Sequence, residues 1–130
     1  MHTLDTVRFD DPLLGSALNE TPESEFDQLE FGAIAFDGQG IVRRYNAVEA
    51  RLAGLSPGRV LGHPLFTVVA PCMNNYLVAQ RFEDALADGS RLDATIDYVL
   101  TLRMRPVKVK LRLLAEPGST LRHVLVQRPA

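Results

Sequence analysis

The feature that most constrains the fold is a strict alternation of apolar and basic residues in the last third of the chain. In the stretch VKVKLRL the apolar residues are Val107, Val109, Leu111 and Leu113, and the residues between them are Lys108, Lys110 and Arg112. Because successive side chains of a strand point to opposite faces, this pattern predicts a β-strand with one apolar face. Residues 92–104 and 119–128 read as neighbouring strands, and EPGS is a turn. Three antiparallel strands are therefore expected here.

Earlier in the chain, FGAIAFDGQGIVRRY predicts a β-hairpin, because two short apolar segments flank a Gly/Asp turn. The following NAVEARLAG predicts a short helix. Asn46 is its expected N-cap, Glu49 stands at the capping-box position and Gly54 ends the helix.

Residues 74–89 carry the strongest helix pattern, with Asn74 or Asn75 as the cap and Gly89 as the terminator. The expected apolar stripe is formed by Tyr76 or Leu77, Val78, Phe82, Ala85 and Leu86. Residues 56–72 contain three prolines and two glycines, which predicts a connector with at most short helices.

Residues 1–29 are acidic and carry only sparse apolar residues, namely Leu13, Leu14, Leu18, Phe26 and Leu29. They are interpreted either as a cap of one or two short helices, with Thr21 as an N-cap before Pro22, or as a loosely ordered leader. The fold class is α+β, with one five-stranded antiparallel sheet, helices on its apolar face and an N-terminal cap. We expect residues 1–29 to form the cap and residues 30–130 the main domain.

The composition narrows the function classes. The chain has 130 residues and a net charge of −2, which does not favour nucleic acid or an anionic membrane as a partner. It contains no apolar run near the length of a membrane span and no secretory signal pattern, so a cytoplasmic location is expected. A single cysteine, Cys72, excludes an internal disulfide and cysteine-based metal clusters, and no metal site is expected.

The order of elements resembles that of a PAS domain, and several segments resemble the photoactive yellow protein family more closely. These segments are FGAIAFDGQGIVRRYNAVEA, LFTVVAPC and MRPVKVK, within a resemblance that covers about residues 31–128. The resemblance implies that the cysteine of the APC turn, Cys72, carries 4-hydroxycinnamic acid (p-coumaric acid) as a thioester. It also implies that Tyr45 and Glu49 bind the phenolate oxygen of this chromophore. The remaining implied site positions are Ala53, Leu55, Pro71, Leu100 and Met104.

The same resemblance implies a non-enzymatic blue-light photoreceptor. Light would isomerise the chromophore from trans to cis, Glu49 would give up its proton, and loosening of the N-terminal cap would be the signal. Met104 would assist thermal return. The expected partners are a downstream signalling protein that the sequence does not identify, or a second copy of the chain in a homodimer.

The residues give this reading a physical basis. Tyr45 and Glu49 are four residues apart across the start of a helix, so their side chains can converge. A phenol and a protonated carboxyl are both donors, and a carboxyl buried without a cation favours its protonated form. The chain departs from the family at Ala53, where a supporting Thr is typical, and at Leu55, where an Arg is typical. Arg51 or Arg103 are candidate replacements for that cation.

Two further departures are Leu100, which replaces an aromatic residue, and His123, which replaces a Trp. From all four departures we expect a photoactive variant with a shifted phenol pKa and altered recovery.

Other functions remain open at this point. The first alternative is a cofactor-free PAS module for protein–protein interaction, in which Cys72 is a core residue. A flavin photosensor would need an NCRFLQ-type helix, which the sequence lacks, and a heme sensor would have to use His63 in the connector. An enzyme would need Cys72 to pair with His63 or His123, but the sequence offers no recognisable orienting acid or oxyanion hole.

Overall fold

The computed structural model describes residues 8–101 and 105–129. Its elements are α1 (Leu14–Leu18), α2 (Glu23–Phe26), β1 (Gly32–Phe36), β2 (Val42–Tyr45), α3 (Ala47–Ala53), α4 (Pro57–Val60), a π-helical turn (Leu65–Val69), a 3-10 turn (Pro71–Met73), α5 (Ala79–Asp88), β3 (Leu92–Leu100), β4 (Val107–Ala115) and β5 (Arg122–Gln127). The strands form one antiparallel sheet in the order β2-β1-β5-β4-β3. The predicted five-stranded α+β architecture is confirmed.

The predicted hairpin is β1 and β2, which pair antiparallel with Ile34 opposite Tyr45. Its turn is organised by Asp37, whose Oδ1 accepts hydrogen bonds from the backbone N–H groups of Gln39 (2.9 Å) and Ile41 (3.1 Å). This is the ordinary way in which an Asp side chain stabilises a turn. The hairpin brings the end of β2, and therefore the start of α3, beside β1.

One face of the sheet packs against the helices after β2, and we call this packing the helix-side core. From β4 it buries Val109, Leu111 and Leu113, as the alternation predicts, whereas Val107 at the strand end is 36% exposed. From β5 it buries Val124 and Val126. Residues two apart on a strand share a face, so the residue two positions after Val126 is directed to this side as well.

The opposite face is covered by α1 and α2, and we call this packing the cap-side core. Its buried members include Leu14, Leu18, Phe26, Leu29, Leu114 and Leu125. Of the two interpretations of the N-terminal segment, the described residues 8–29 therefore fit the helical cap. Leu13 was expected among its anchors, but it is 72% exposed because it precedes α1 and points outward. The division of the chain at residue 29 stays a prediction.

The expected N-cap role of Thr21 is wrong. The Thr21 hydroxyl donates to the carbonyl of Ala17 at 2.7 Å, and the N-cap position of α2 is Pro22. A hydroxyl close to the end of one helix has two available partners, and here the preceding helix takes it.

Two arginines on the sheet hold the cap through its backbone. Arg44 donates to the carbonyl of Thr21 at 2.6 Å and lies over the Phe26 ring at 4.2 Å from its centroid. Arg112 donates to the carbonyls of Phe9 (2.9 Å) and Asp11 (2.7 Å). The alternation places Arg112 on the face opposite the apolar residues, which is confirmed. Arg112 itself is buried beneath the cap, whereas Lys108 and Lys110 on the same face are exposed.

Helix α5 begins later than expected. Asn75 accepts from the backbone N–H groups of Leu77 and Val78, which makes a turn before the helix, and regular helix starts only at Ala79. The predicted end at Gly89 is confirmed, since Gly89 adopts the left-handed conformation. Val78, Phe82 and Ala85 are buried as predicted. Tyr76 and Leu77 are exposed in the turn that precedes the helix. Leu86 lies within α5 but is also exposed.

The connector consists of α4 and the two short turns, as predicted. No helix in the described part of the chain combines the length and apolar character needed to cross a membrane.

Candidate functional site

The site is built where β2 runs into α3. Asn46, fully buried between them, is the N-cap of α3 as predicted, and its Oδ1 accepts from the backbone N–H of Glu49 at 3.1 Å. The same Oδ1 accepts from Ala33 at 3.0 Å, and Nδ2 donates to the carbonyls of Phe31 (2.9 Å) and Phe26 (3.4 Å). One amide thus joins α3, β1 and the cap, a role beyond the capping that the sequence indicates.

The capping-box expectation for Glu49 is wrong. The backbone N–H of Asn46 donates to the carbonyl of Ala33 instead of the Glu49 side chain. The Glu49 carboxylate is fully buried and forms a bidentate pair with Arg128, with Nη1–Oε1 at 2.7 Å and Nη2–Oε2 at 3.1 Å. The expectation of a carboxyl buried without a cation is therefore also wrong.

The cation reaches Glu49 through the register of β5. Val126 pairs with Gly32 of β1, and Arg128 follows two residues later on the same face. Gly32 leaves the space that the carboxylate fills, because a Cβ at this position would lie 2.1 Å from Oε1 of Glu49. Arg51, proposed from the sequence as a replacement cation, is exposed. Arg103, the other candidate, lies outside the described residues.

Tyr45 is buried at the end of β2, with 3% of its surface exposed. Burial raises the pKa of Tyr45 above its ordinary value, the nearby Glu49 raises it further, and Arg128 opposes this effect. The phenol therefore keeps its proton at neutral pH and is available as a hydrogen-bond donor.

Cys72 is a free, half-buried thiol in the 3-10 turn, and it packs against the helix-side core that contains Tyr45. The turn is anchored to β3. The Tyr98 hydroxyl donates to the Cys72 carbonyl at 2.5 Å, and Nδ2 of Asn75 contacts this carbonyl (3.3 Å) and the Tyr98 hydroxyl (2.7 Å). No pattern in the sequence indicates these contacts of Tyr98 and Asn75, and Asn75 is predicted only as a helix cap.

The other predicted site residues are placed as follows. Leu55 is half-buried against the helix-side core, and Leu100 is buried within it. Ala53 is buried at the end of α3, and Pro71 is exposed beside Cys72. Met104 lies outside the described residues. The roles assigned to these positions stay predictions.

The heme sensor and the Cys–His enzyme are the alternatives that need a histidine near the site. His63 is exposed in the connector, and His123 is buried among the cap-side residues, on the sheet face opposite Cys72. A Cys72–His123 pair is therefore excluded by the sheet. Within residues 8–101 and 105–129, no three His, Cys, Asp or Glu side chains are grouped so that they could hold a metal ion.

Comparison with known proteins identifies the family to which this fold belongs. Residues 26–128 match a PAS fold family model. The chain is 34% identical over 110 residues to photoactive yellow protein of Rhodothalassium salexigens, covering 85% of this chain and 87% of that protein. The same identity and coverage hold for photoactive yellow protein of Halochromatium salexigens.

A solved structure is also similar, the photoactive yellow protein domain of the sensor histidine kinase Ppr from Rhodospirillum centenum. It has a TM-score of 0.79 and 38% identity, and the match covers 87% of this chain and 98% of that one. With this agreement in sequence, fold and family model, the chain belongs to the photoactive yellow protein family of PAS domains.

Proposed function

We propose that this chain is a blue-light photoreceptor that carries 4-hydroxycinnamic acid as a thioester on Cys72. Tyr45 and Glu49 would bind the phenol oxygen of the chromophore. The observation that carries the proposal is that the only cysteine is a free, half-buried thiol packed on the same core cluster as the buried phenol of Tyr45. Family membership supports a sensory domain rather than an enzyme.

The residues at the site suit such a group in two respects. Cys72 lies in a turn that is held to β3 by the Tyr98 hydroxyl, so its thiol has a defined position at the edge of apolar packing. Tyr45 is a buried donor, and donors to an anionic oxygen form the stronger class of hydrogen bond. Glu49 suits the role only when it is released from Arg128, since a carboxylate accepts but does not donate.

When bound, the chromophore would supply light absorption and the trans–cis isomerisation of its double bond. Tyr45 and a protonated Glu49 would hold the phenolate oxygen. Transfer of the Glu49 proton to that oxygen would then leave a buried carboxylate, which is costly unless a cation pairs with it.

The hydrogen bonds of Asn46 give the site a direct connection to the cap. This residue holds the backbone N–H of Glu49 on one side and the carbonyl of Phe26 on the other. The N–H of Ala47 also donates to the Asp27 side chain at 3.1 Å. A shift at the start of α3 would therefore act on α2. We propose that a loosened cap is the signal, read by a downstream signalling protein or by a second copy of the chain.

The test is to incubate the purified chain with an activated ester of 4-hydroxycinnamic acid and to record intact mass and visible absorbance. The expected result is one added chromophore mass and a yellow protein that bleaches in blue light. Cys72→Ala should abolish both, and the free, non-activated acid is the matched control. A covalent yellow product that survives Cys72→Ala would refute the proposal.

A cofactor-free PAS interaction module is the second candidate. The observation that favours it is that both oxygens of Glu49 are already bonded to Arg128. In that case the protein stays colourless after incubation and its mass does not change.

A further inference from the structure

The Glu49–Arg128 pair differs from the surface ion pairs of this protein. The Glu49 side chain is 1% exposed and that of Arg128 is 14% exposed, whereas the pair of Arg43 with Asp37 has side chains that are 53% and 21% exposed. Both carboxylate oxygens of Glu49 are taken by one guanidinium. A planar, bidentate contact of this kind is a strong form of ion pair.

Within the described residues, both oxygens of the buried Glu49 carboxylate are bonded to Arg128, so this contact decides how well a charge on Glu49 is compensated. A buried carboxyl that lacks a cation favours the protonated form, whereas an opposite charge within hydrogen-bond distance favours the ionised form. Arginine stays charged at all ordinary pH values, so the pair is expected to consist of a carboxylate and a guanidinium. An ionised Glu49 can only accept hydrogen bonds.

Arg128 also has a route by which it can leave. It lies one residue beyond β5, and together with Pro129, Leu77 and Tyr98 it lines an open groove of about 780 Å³. Arg128 therefore borders open space, and its backbone is not part of β5.

We propose that Arg128 is the counter-ion of Glu49 and controls its proton. While the bidentate pair is closed, Glu49 is ionised and is not a donor. When Arg128 withdraws into the groove, the buried carboxyl takes up a proton from solvent and becomes the donor that the proposed light-sensing role requires. Arg128 is thus a positioning residue, and this consequence of its movement rests on the function proposed above.

The charge state can be measured in the chromophore-free chain by infrared spectroscopy in D₂O at neutral pH. The C=O stretching band of a protonated carboxyl separates it from ionised side chains. Wild type should show no such band from Glu49, and Arg128→Met should show one. Glu49→Gln combined with Arg128→Met should lack it, which assigns the band. Arg43→Met, which breaks an exposed pair, is the matched control and should show none.

In the infrared measurement, Arg128→Lys should show no protonated band, because lysine retains the positive charge. Unfolding equilibria provide a second readout. Each single variant at Glu49 or Arg128 should raise the unfolding constant at least about tenfold, and the double variant should raise it by less than the product of the two. If Arg128→Met does not fold, the wild-type minus Glu49→Gln spectrum and Arg128→Lys still decide the question.

A protonated band from Glu49 in wild type, or its absence in folded Arg128→Met, would overturn the inference. This outcome is distinguishable from failure of the proposed function. Chromophore loading on Cys72 is read by mass, independently of the infrared band.

Discussion

Acid should destabilise this protein through one buried histidine, His123. It lies on the cap-side face of β5, 1% exposed, with its ring centroid 6.3 Å from that of Phe26 in the cap. Within the described residues its Nε2 has no hydrogen-bond partner. Burial lowers the pKa of His123 from 6.5 to about 3, and the charge of Arg44 contributes in the same direction.

The direction and size of this acid destabilisation follow from the linkage between proton binding and folding. The folded state holds His123 neutral, so between pH 6.5 and about 3 the unfolded chain binds more protons, and stability falls as the pH falls through this window. The full lowering of the His123 pKa corresponds to a loss of about 5 kcal/mol in the free energy of unfolding, at about 1.4 kcal/mol per pH unit. Between pH 7 and pH 4.5, this residue should reduce the free energy of unfolding by about 2.5 kcal/mol.

The assay is urea unfolding of wild type and His123→Phe at a series of pH values from 7 to 4.5. Titration of the carboxylates is common to both proteins and cancels in the difference. Wild type should lose about 2.5 kcal/mol more than the variant over this range. Hydrogen exchange should show the first losses in the cap amides, because His123 lies directly beneath the cap.

The matched control is His63→Gln, which removes an exposed imidazole instead of a buried one. If wild type and His123→Phe lose equal stability on acidification, the buried imidazole of His123 does not contribute to acid destabilisation.

Two further substitutions test the packing around the site. Gly32→Ala should destabilise the fold by about 1–3 kcal/mol, because the added Cβ would lie 2.1 Å from the Glu49 carboxylate. The control is Gly58→Ala, whose added Cβ would have no atom within 4 Å, and both variants are compared by thermal unfolding. An equal melting temperature for these two variants would contradict the close contact. Tyr98→Phe should cost about 1 kcal/mol and speed the reaction of Cys72 with a thiol reagent, because the turn loses its bond to β3. Tyr76→Phe, at a residue that is 78% exposed, should change neither quantity, and an unchanged thiol rate in Tyr98→Phe would argue against the anchoring role.

Local patterns predicted many, though not all, of the features that depend on neighbours in sequence. The alternation of β4, the hairpin, the Asn46 cap and the glycine ends of α3 and α5 all involve residues within a few positions of each other. Their geometry follows from backbone periodicity and turn chemistry. The start of α5 was predicted too early because the Asn75 side chain can organise a turn as readily as a helix.

The site was only partly predictable. The proximity of Tyr45 to Glu49 follows from their four-residue spacing, and the structure buries both side chains. The pairing of Arg128 with Glu49 spans 79 positions, and no local pattern indicates it. Two features of the sequence could have indicated this pairing: a glycine in strand β1, Gly32, and the two-residue spacing that puts Val126 and Arg128 on one face. They can be combined only when the register between β1 and β5 is known.

The sequence by itself determined the α+β class, the sheet with its apolar face, the position of the single thiol and the adjacency of a phenol and an acid. These depend on composition and on short-range periodicity. Only the tertiary structure decided that Glu49 meets a cation and that Arg112 is buried beneath a cap. It also placed His123 on the face opposite Cys72, where its Nε2 has no hydrogen-bond partner among the described residues. The charge and solvation of a side chain depend on which distant segments pack around it, and that packing exists only once the sheet has formed.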